Sequence, residues 1–280
     1  MEQVISMTDK PKYNRIVILT AGLLCLIIPL MRFPLLCRAE TAEEKGLGIA
    51  READRRDSGY GDFTADMLMI LRNRHGQESR REMRVRALEV ADDGDKSLII
   101  FDSPRDVKGT AFLNYTHKKG DDDQWLYLPA LKRVKRISSR NKSGSFMGSE
   151  FAYEDIASQE VEKYSYKWLR DETYENMECF VIERYPVDKE NSGYSRQVAW
   201  LDKEHYRTWR VEYYDRKNAH LKTLTQADYK VYSDRFWRPA ELNMVNHQTG
   251  KSTELLFSNY QFNVGLGDED FNKNSLKRAK

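Results

Sequence analysis

From Phe63 the chain alternates. Phe63, Ala65, Met67, Met69 and Leu71 are interleaved with Thr64, Asp66, Leu68, Ile70 and Arg72, and Met83, Val85 and Ala87 with Arg84, Arg86 and Leu88. A period of two is the mark of β-strands with two unlike faces. The same period returns at Trp209, Val211 and Tyr213 and at Ala227, Tyr229 and Val231. Turn-forming stretches such as "DDGD" (92–95), "DRKNAH" and "HQTGKS" separate successive runs at hairpin spacing. Before the strands, Thr41-Ala42-Glu43-Glu44 reads as a capping box opening a helix that runs to about Arg56. The apolar stripe of that helix, Leu47, Ala50 and Ala53, is thin. It suits a helix that covers a sheet and does not fold alone. The pattern therefore predicts one helix followed by roughly ten antiparallel strands, and a sheet of that size must curl or close.

The N-terminus has a different character. Lys10, Lys12 and Arg15 precede "IVILTAGLLCLIIPL", fifteen residues without a charge, and the small residue Ala39 follows. This predicts a secretory signal over 1–39, with a domain over 40–280. An uncleaved membrane anchor is the alternative. The run is short for a span of ~20 residues. Over the whole chain 46 Lys and Arg stand against 44 Asp and Glu. Residues 1–39 hold five of the basic and two of the acidic residues, which leaves 41 against 42. A near-neutral domain is not built as a general nucleic-acid binder.

Thirty of those 241 residues are Phe, Tyr or Trp, and many strands carry large apolar residues on both faces. Something must cover the second face: a helix, a partner or a ligand. Cys179 lies in the apolar run "MECFVIERY" and reads as a buried thiol with no partner for a disulfide. The histidines (75, 117, 205, 220 and 247) are scattered, and no catalytic or metal-ligating spacing stands out. No cofactor is expected.

Three stretches resemble one known family: "IIFDSPRDVKGTAFLNY", "DQWLYLPALKRVKRISSRNKSGSFMGSEFAYEDI" and "FWRPAELNMVNHQTGKSTELLFSNYQFNVGLGDEDF". Together they are similar to the periplasmic outer-membrane lipoprotein-sorting proteins, the LolA-like group, from about Gly59 to Leu276. The resemblance implies a mainly β fold, an incomplete antiparallel β-barrel curved around one or more helices, with an apolar concave cavity. It implies a periplasmic, non-enzymatic carrier for lipoprotein acyl chains or lipid. The alternatives are an accessory protein docking to an inner-membrane lipid-exporting transporter, and a lipid-modifying enzyme using the same cavity. Met67, Met69 and Met83 are candidates to line that cavity, because methionine is flexible and polarizable. Ordinary core packing is their other reading.

The basic segment Lys132, Arg133, Lys135 and Arg136 falls on an expected strand over 124–136. Lys132, Val134 and Arg136 would share one face, and Arg133, Lys135 and Ile137 the other. Two roles fit: a protected strand edge, or contact with an anionic headgroup or acidic partner at the cavity mouth. The Ser/Gly run 138–149 is expected to be a mobile loop, with Phe146 and Met147 as a flap.

Overall fold

The computed structural model describes residues 39–274 and 276–278. The expected signal sequence, and the anchor alternative, lie outside the described residues. Among the described residues no helix is long and apolar enough to cross a membrane.

The expected capping box forms. Glu44 N donates to Thr41 Oγ1 at 3.1 Å and Thr41 N to Glu44 Oε2 at 2.9 Å, opening α1 (Ala42–Asp57). The chain then lays down β1 (Asp62–Arg72), β2 (Glu78–Leu88), β3 (Lys96–Ser103), β4 (Ala111–Tyr115), β5 (Asp123–Leu128) and β6 (Arg133–Ile137). A connecting strap, residues 138–163, carries the single turn α2 (Tyr153–Ile156). Seven further strands follow: β7 (Tyr164–Tyr174), β8 (Met177–Pro186), β9 (Tyr194–Asp202), β10 (Thr208–Asp215), β11 (His220–Tyr232), β12 (Phe236–Asn246) and β13 (Ser252–Phe262).

All thirteen strands form one antiparallel sheet in the order β6-β5-β4-β3-β2-β1-β13-β12-β11-β10-β9-β8-β7. Neighbours in space are neighbours in the chain, except where β1 meets β13. The sheet curls but does not close: β6 and β7 are its two free edges, and the strap joins them. The count exceeds the expected ten or so partly because the run 124–136 is two strands. Pro129 cannot donate to a ladder and opens a 3₁₀ turn, Pro129–Leu131, which ends at Lys132 in the left-handed region with φ 50°. Lys132 is thus a turn residue. The face assignment of the remainder is as expected: Ile137 enters the concave core, while Val134 packs on the convex side.

The main core fills the concave face from β1 through β13 and includes Met67, Met69, Val85, Phe101, Phe112, Ile182, Val211, Leu224, Met244 and Leu255. Helix α1 adds Ile49 and Ala50 and packs chiefly on β7. The convex face has two further apolar clusters. Over β3 to β5, Leu98, Ile100, Leu113 and Trp125 are covered by Phe271 and Leu276 of the C-terminal segment. The Tyr115 hydroxyl donates to Phe271 O, and Lys96 pairs with Asp268 at 2.6 Å. The chain's own tail is therefore one of the covers that the two-faced patterning called for. On β8 and β9, Cys179 is fully buried beside Val181, Val198 and Trp200, and burial pushes its thiol up to about 11.

The strap is built into the core, which corrects the expectation of a mobile flap. Phe146 is fully buried, with its ring 5.2 Å from Phe112 and 5.6 Å from Tyr153. Met147 is half-buried, and its carbonyl accepts a hydrogen bond from Arg81 Nη1 at 2.5 Å. A Ser/Gly-rich stretch turns inward here because one aromatic side chain repays the ordering of its loop.

Candidate functional site

Between the concave face, α1 and the strap lies a cavity of about 1600 Å³. Its floor is largely apolar: Met67 on β1, Val85 on β2, Ile99 on β3, Ile182 on β8, Ala199 and Leu201 on β9, and Leu242, Leu255 and Phe257 on β12 and β13. Ala50 and Ala53 of α1 and Phe151, Ile156 and Val161 of the strap form the opposite wall. Strand alternation is the reason for this composition. Each strand sends every second side chain inward, and the inward set was the apolar set visible from Phe63 onward.

The rim is charged. On one side Asp54, Asp95 and Glu160 line it together. Glu160 is only 8% exposed. Burial, followed by the charges of Asp95 and Asp54, raises its carboxyl to about 7. Burial likewise raises Asp95, although Tyr60 donates to it at 2.8 Å, and Asp54. Elsewhere on the rim, Arg207 pairs with Asp202 at 2.8 Å and lies over Trp237 at 4.5 Å, while Arg238 pairs with Asp57.

The strap is held by a buried polar network. Lys222 and Asp155 pair at 2.6 Å, with side chains 4% and 2% exposed. Lys222 Nζ also donates to Glu150 O at 2.8 Å, and Tyr194 OH donates to Asp155 at 2.8 Å. Asn246 Nδ2 donates to Glu150 Oε2 at 2.7 Å. Glu154 accepts from Gly193 N at 2.7 Å and Ser192 Oγ at 2.8 Å. Burial, then Asp155 beside it, raises the Glu154 carboxyl to about 7.

Of the three methionines expected at the cavity, Met67 lines it, whereas Met69 and Met83 are buried core residues outside its lining. Lys132, Arg133, Lys135 and Arg136 do not line it. They are exposed on the turn and edge strand β6, where Arg136 pairs with Asp123 at 2.5 Å. Phe146 and Met147 are also outside the lining. Sequence reading missed Arg184, Glu160 and the strap carboxylates, whose setting depends on pairings between segments far apart in the chain. It also left His220 and His247 scattered. They meet on the sheet with rings 4.4 Å apart, both bonded to the Thr223 hydroxyl.

An open antiparallel sheet curled around a helix and a strap, with an apolar cavity inside, defines the class of LolA-like half-barrels. A family model described only as an uncharacterized protein matches residues 93–278. A domain from Vibrio parahaemolyticus, named for outer membrane lipoprotein sorting, is 62% identical. It covers 84% of this chain and 100% of its own, with a TM-score of 0.83. A DUF1329 family protein from Desulfovibrio piger is 31% identical over 84% of this chain and 99% of its own, with a TM-score of 0.79. A LolA superfamily protein from Nitrosomonas europaea, at 20% identity over 82% of this chain and 98% of its own, shares the fold with a TM-score of 0.66. Among curated proteins, none matches the chain. The chain belongs to the same family as the Vibrio lipoprotein-sorting domain and the Desulfovibrio DUF1329 protein, and it shares its fold with the LolA superfamily protein.

Proposed function

We propose that the protein is a periplasmic, non-enzymatic carrier that holds the acyl chains of a lipoprotein or lipid in its concave cavity. The observation that carries this reading is the cavity itself. At about 1600 Å³ it exceeds the ~300–1,000 Å³ usual for small-molecule pockets, and its floor is largely apolar across β1 to β3, β8, β9, β12 and β13. Each buried CH₂ is worth ~0.8 kcal/mol, so a sixteen-carbon chain represents roughly 12 kcal/mol of gross transfer before ordering costs. The name of the Vibrio relative supports the same reading, as does the signal-like N-terminus for a periplasmic location.

The basic segment supports a second contact. Lys132, Arg133, Lys135 and Arg136 lie away from the cavity lining, beside Leu131, which is 62% exposed. That exposed setting supports, for the segment, an outward contact with an anionic membrane or the acidic face of a transporter in preference to a cargo contact.

Native mass spectrometry on protein isolated gently from its own host tests the carrier reading. The expected result is a bound lipid or acylated protein. Ligand-free protein in repeated preparations, together with no uptake of added acyl probes, would overturn it.

A further inference from the structure

The sheet register places a polar row across the concave face. Tyr166 pairs with Arg184, Arg184 with Gln197, Gln197 with Tyr213, Tyr213 with Lys222, and Lys222 with Asn246. The neighbouring row, Ile182, Ala199, Val211, Leu224 and Met244, is wholly apolar. A row of polar groups inside a half-barrel needs partners. At one end the strap supplies them: Asp155 to Lys222 and Glu150 to Asn246. Toward the other end, beside the terminal Tyr166, stands Arg184. Its Nε donates to Gln197 Oε1 at 2.8 Å and its guanidinium lies 5.1 Å from the centre of the Tyr164 ring. Among the described residues no carboxylate forms an ion pair with it. Lys222, Gln197 and Asn246 are covered, whereas Arg184 lines the cavity next to Ile182.

We propose that the cavity recognises amphiphiles with one oxyanion head, and that Arg184 binds that head while the hydrocarbon lies on the apolar floor. This deepens the carrier reading and rests on it. A guanidinium presents a planar fork of donors that matches phosphate or carboxylate, and such charge-assisted bonds are roughly twice as strong as neutral ones. Arg184 is half-buried beside an apolar wall, and among the described residues no carboxylate pairs with it. An anionic ligand supplies that pairing, and an uncharged one of equal length does not. The site therefore discriminates by headgroup, where the floor alone would discriminate only by chain length.

The test is isothermal titration calorimetry with decyl phosphate, 1-decanol and inorganic phosphate, each kept below any micelle threshold. Wild-type protein is expected to bind decyl phosphate at least tenfold more tightly than decanol, with a preference that shrinks as salt is raised. Arg184→Gln and Arg184→Met should weaken decyl phosphate at least tenfold and leave decanol within about twofold, with Arg184→Lys intermediate. The wild-type comparison stands even if a variant folds poorly. Equal binding of decyl phosphate by wild type and Arg184→Gln would overturn the proposal, leaving Arg184 as support for Gln197 and Tyr164. Inorganic phosphate binding as tightly as decyl phosphate would also overturn it, by showing a free-anion site. If wild type takes up neither amphiphile, the carrier reading itself fails.

Discussion

At Gly46, on α1, a Cβ would lie 2.6 Å from Trp168 N and 2.7 Å from Lys167 C, both backbone atoms of β7. The helix thus seats on the strand through bare backbone, and this contact lets a thin stripe of Ile49, Ala50 and partly buried Leu47 close one wall of the cavity. Gly46→Ala must move α1 or β7. Overpacking of this kind costs ~1–3 kcal/mol, despite alanine's better helix propensity. The expected outcome is a lower urea midpoint with little change in the slope; an unchanged or raised midpoint would show that the helix is not seated through this glycine. The sequence marked the helix's start through Thr41 and Glu44. It did not mark Gly46, whose necessity comes from a strand more than a hundred residues away.

Among the elements, β6 and the strap show how far patterning reaches. Alternation assigned Ile137 and Val134 to opposite faces, as found. It missed the break at Pro129, because the run stays apolar and basic through the 3₁₀ turn. It also put Phe146 on a flap, since a Ser/Gly run carries no periodicity and the aromatic cluster that receives it comes from β3, β4 and the strap. As an exposed edge, β6 carries charges that oppose pairing with another sheet. If it also docks on an anionic surface, replacing Lys132, Arg133 and Lys135 with Gln should weaken binding to anionic phospholipid vesicles at least tenfold, taking ~1 kcal/mol per basic residue near the surface. Arg136 is left in place because it pairs with Asp123. Vesicle co-sedimentation at low salt reads the result. Unchanged sedimentation with an unchanged melting temperature would leave edge protection as the segment's only role.

For the whole molecule, folding stability is coupled to pH through carboxyls enclosed by the strap and the rim. Glu154 and Glu160 each stand near 7 against an ordinary value of 4.5. Folding holds such groups protonated, so their contribution is complete below about pH 4.5 and is lost as pH rises through about 7. Glu160 can be isolated by substitution. Glu160→Gln carries no charge to enclose and should match wild type near pH 4.5. At pH 8 it should be more stable, by up to ~3 kcal/mol, because one enclosed charge is gone. Denaturation across pH 4.5 to 8 checks this; parallel curves for the two proteins would show that Glu160 is not the titrating group. The His247 ring, lowered mainly by burial, and Asp93, drawn down to about 2 by its bond to His117, are common to both proteins and cancel in the difference.

The chain's own pattern was enough for the helix with its capping box, for most of the strands, and for the inward apolar set that includes Met67. These depend on neighbours within a few residues and on a period of two, which are local properties. The path of the strap, the cover given by Phe271 and Leu276, the seat at Gly46 and the polar row that includes Arg184 were decided only in three dimensions. Each is a pairing between segments tens to hundreds of residues apart, and register across a thirteen-stranded sheet is written in no single stretch of sequence.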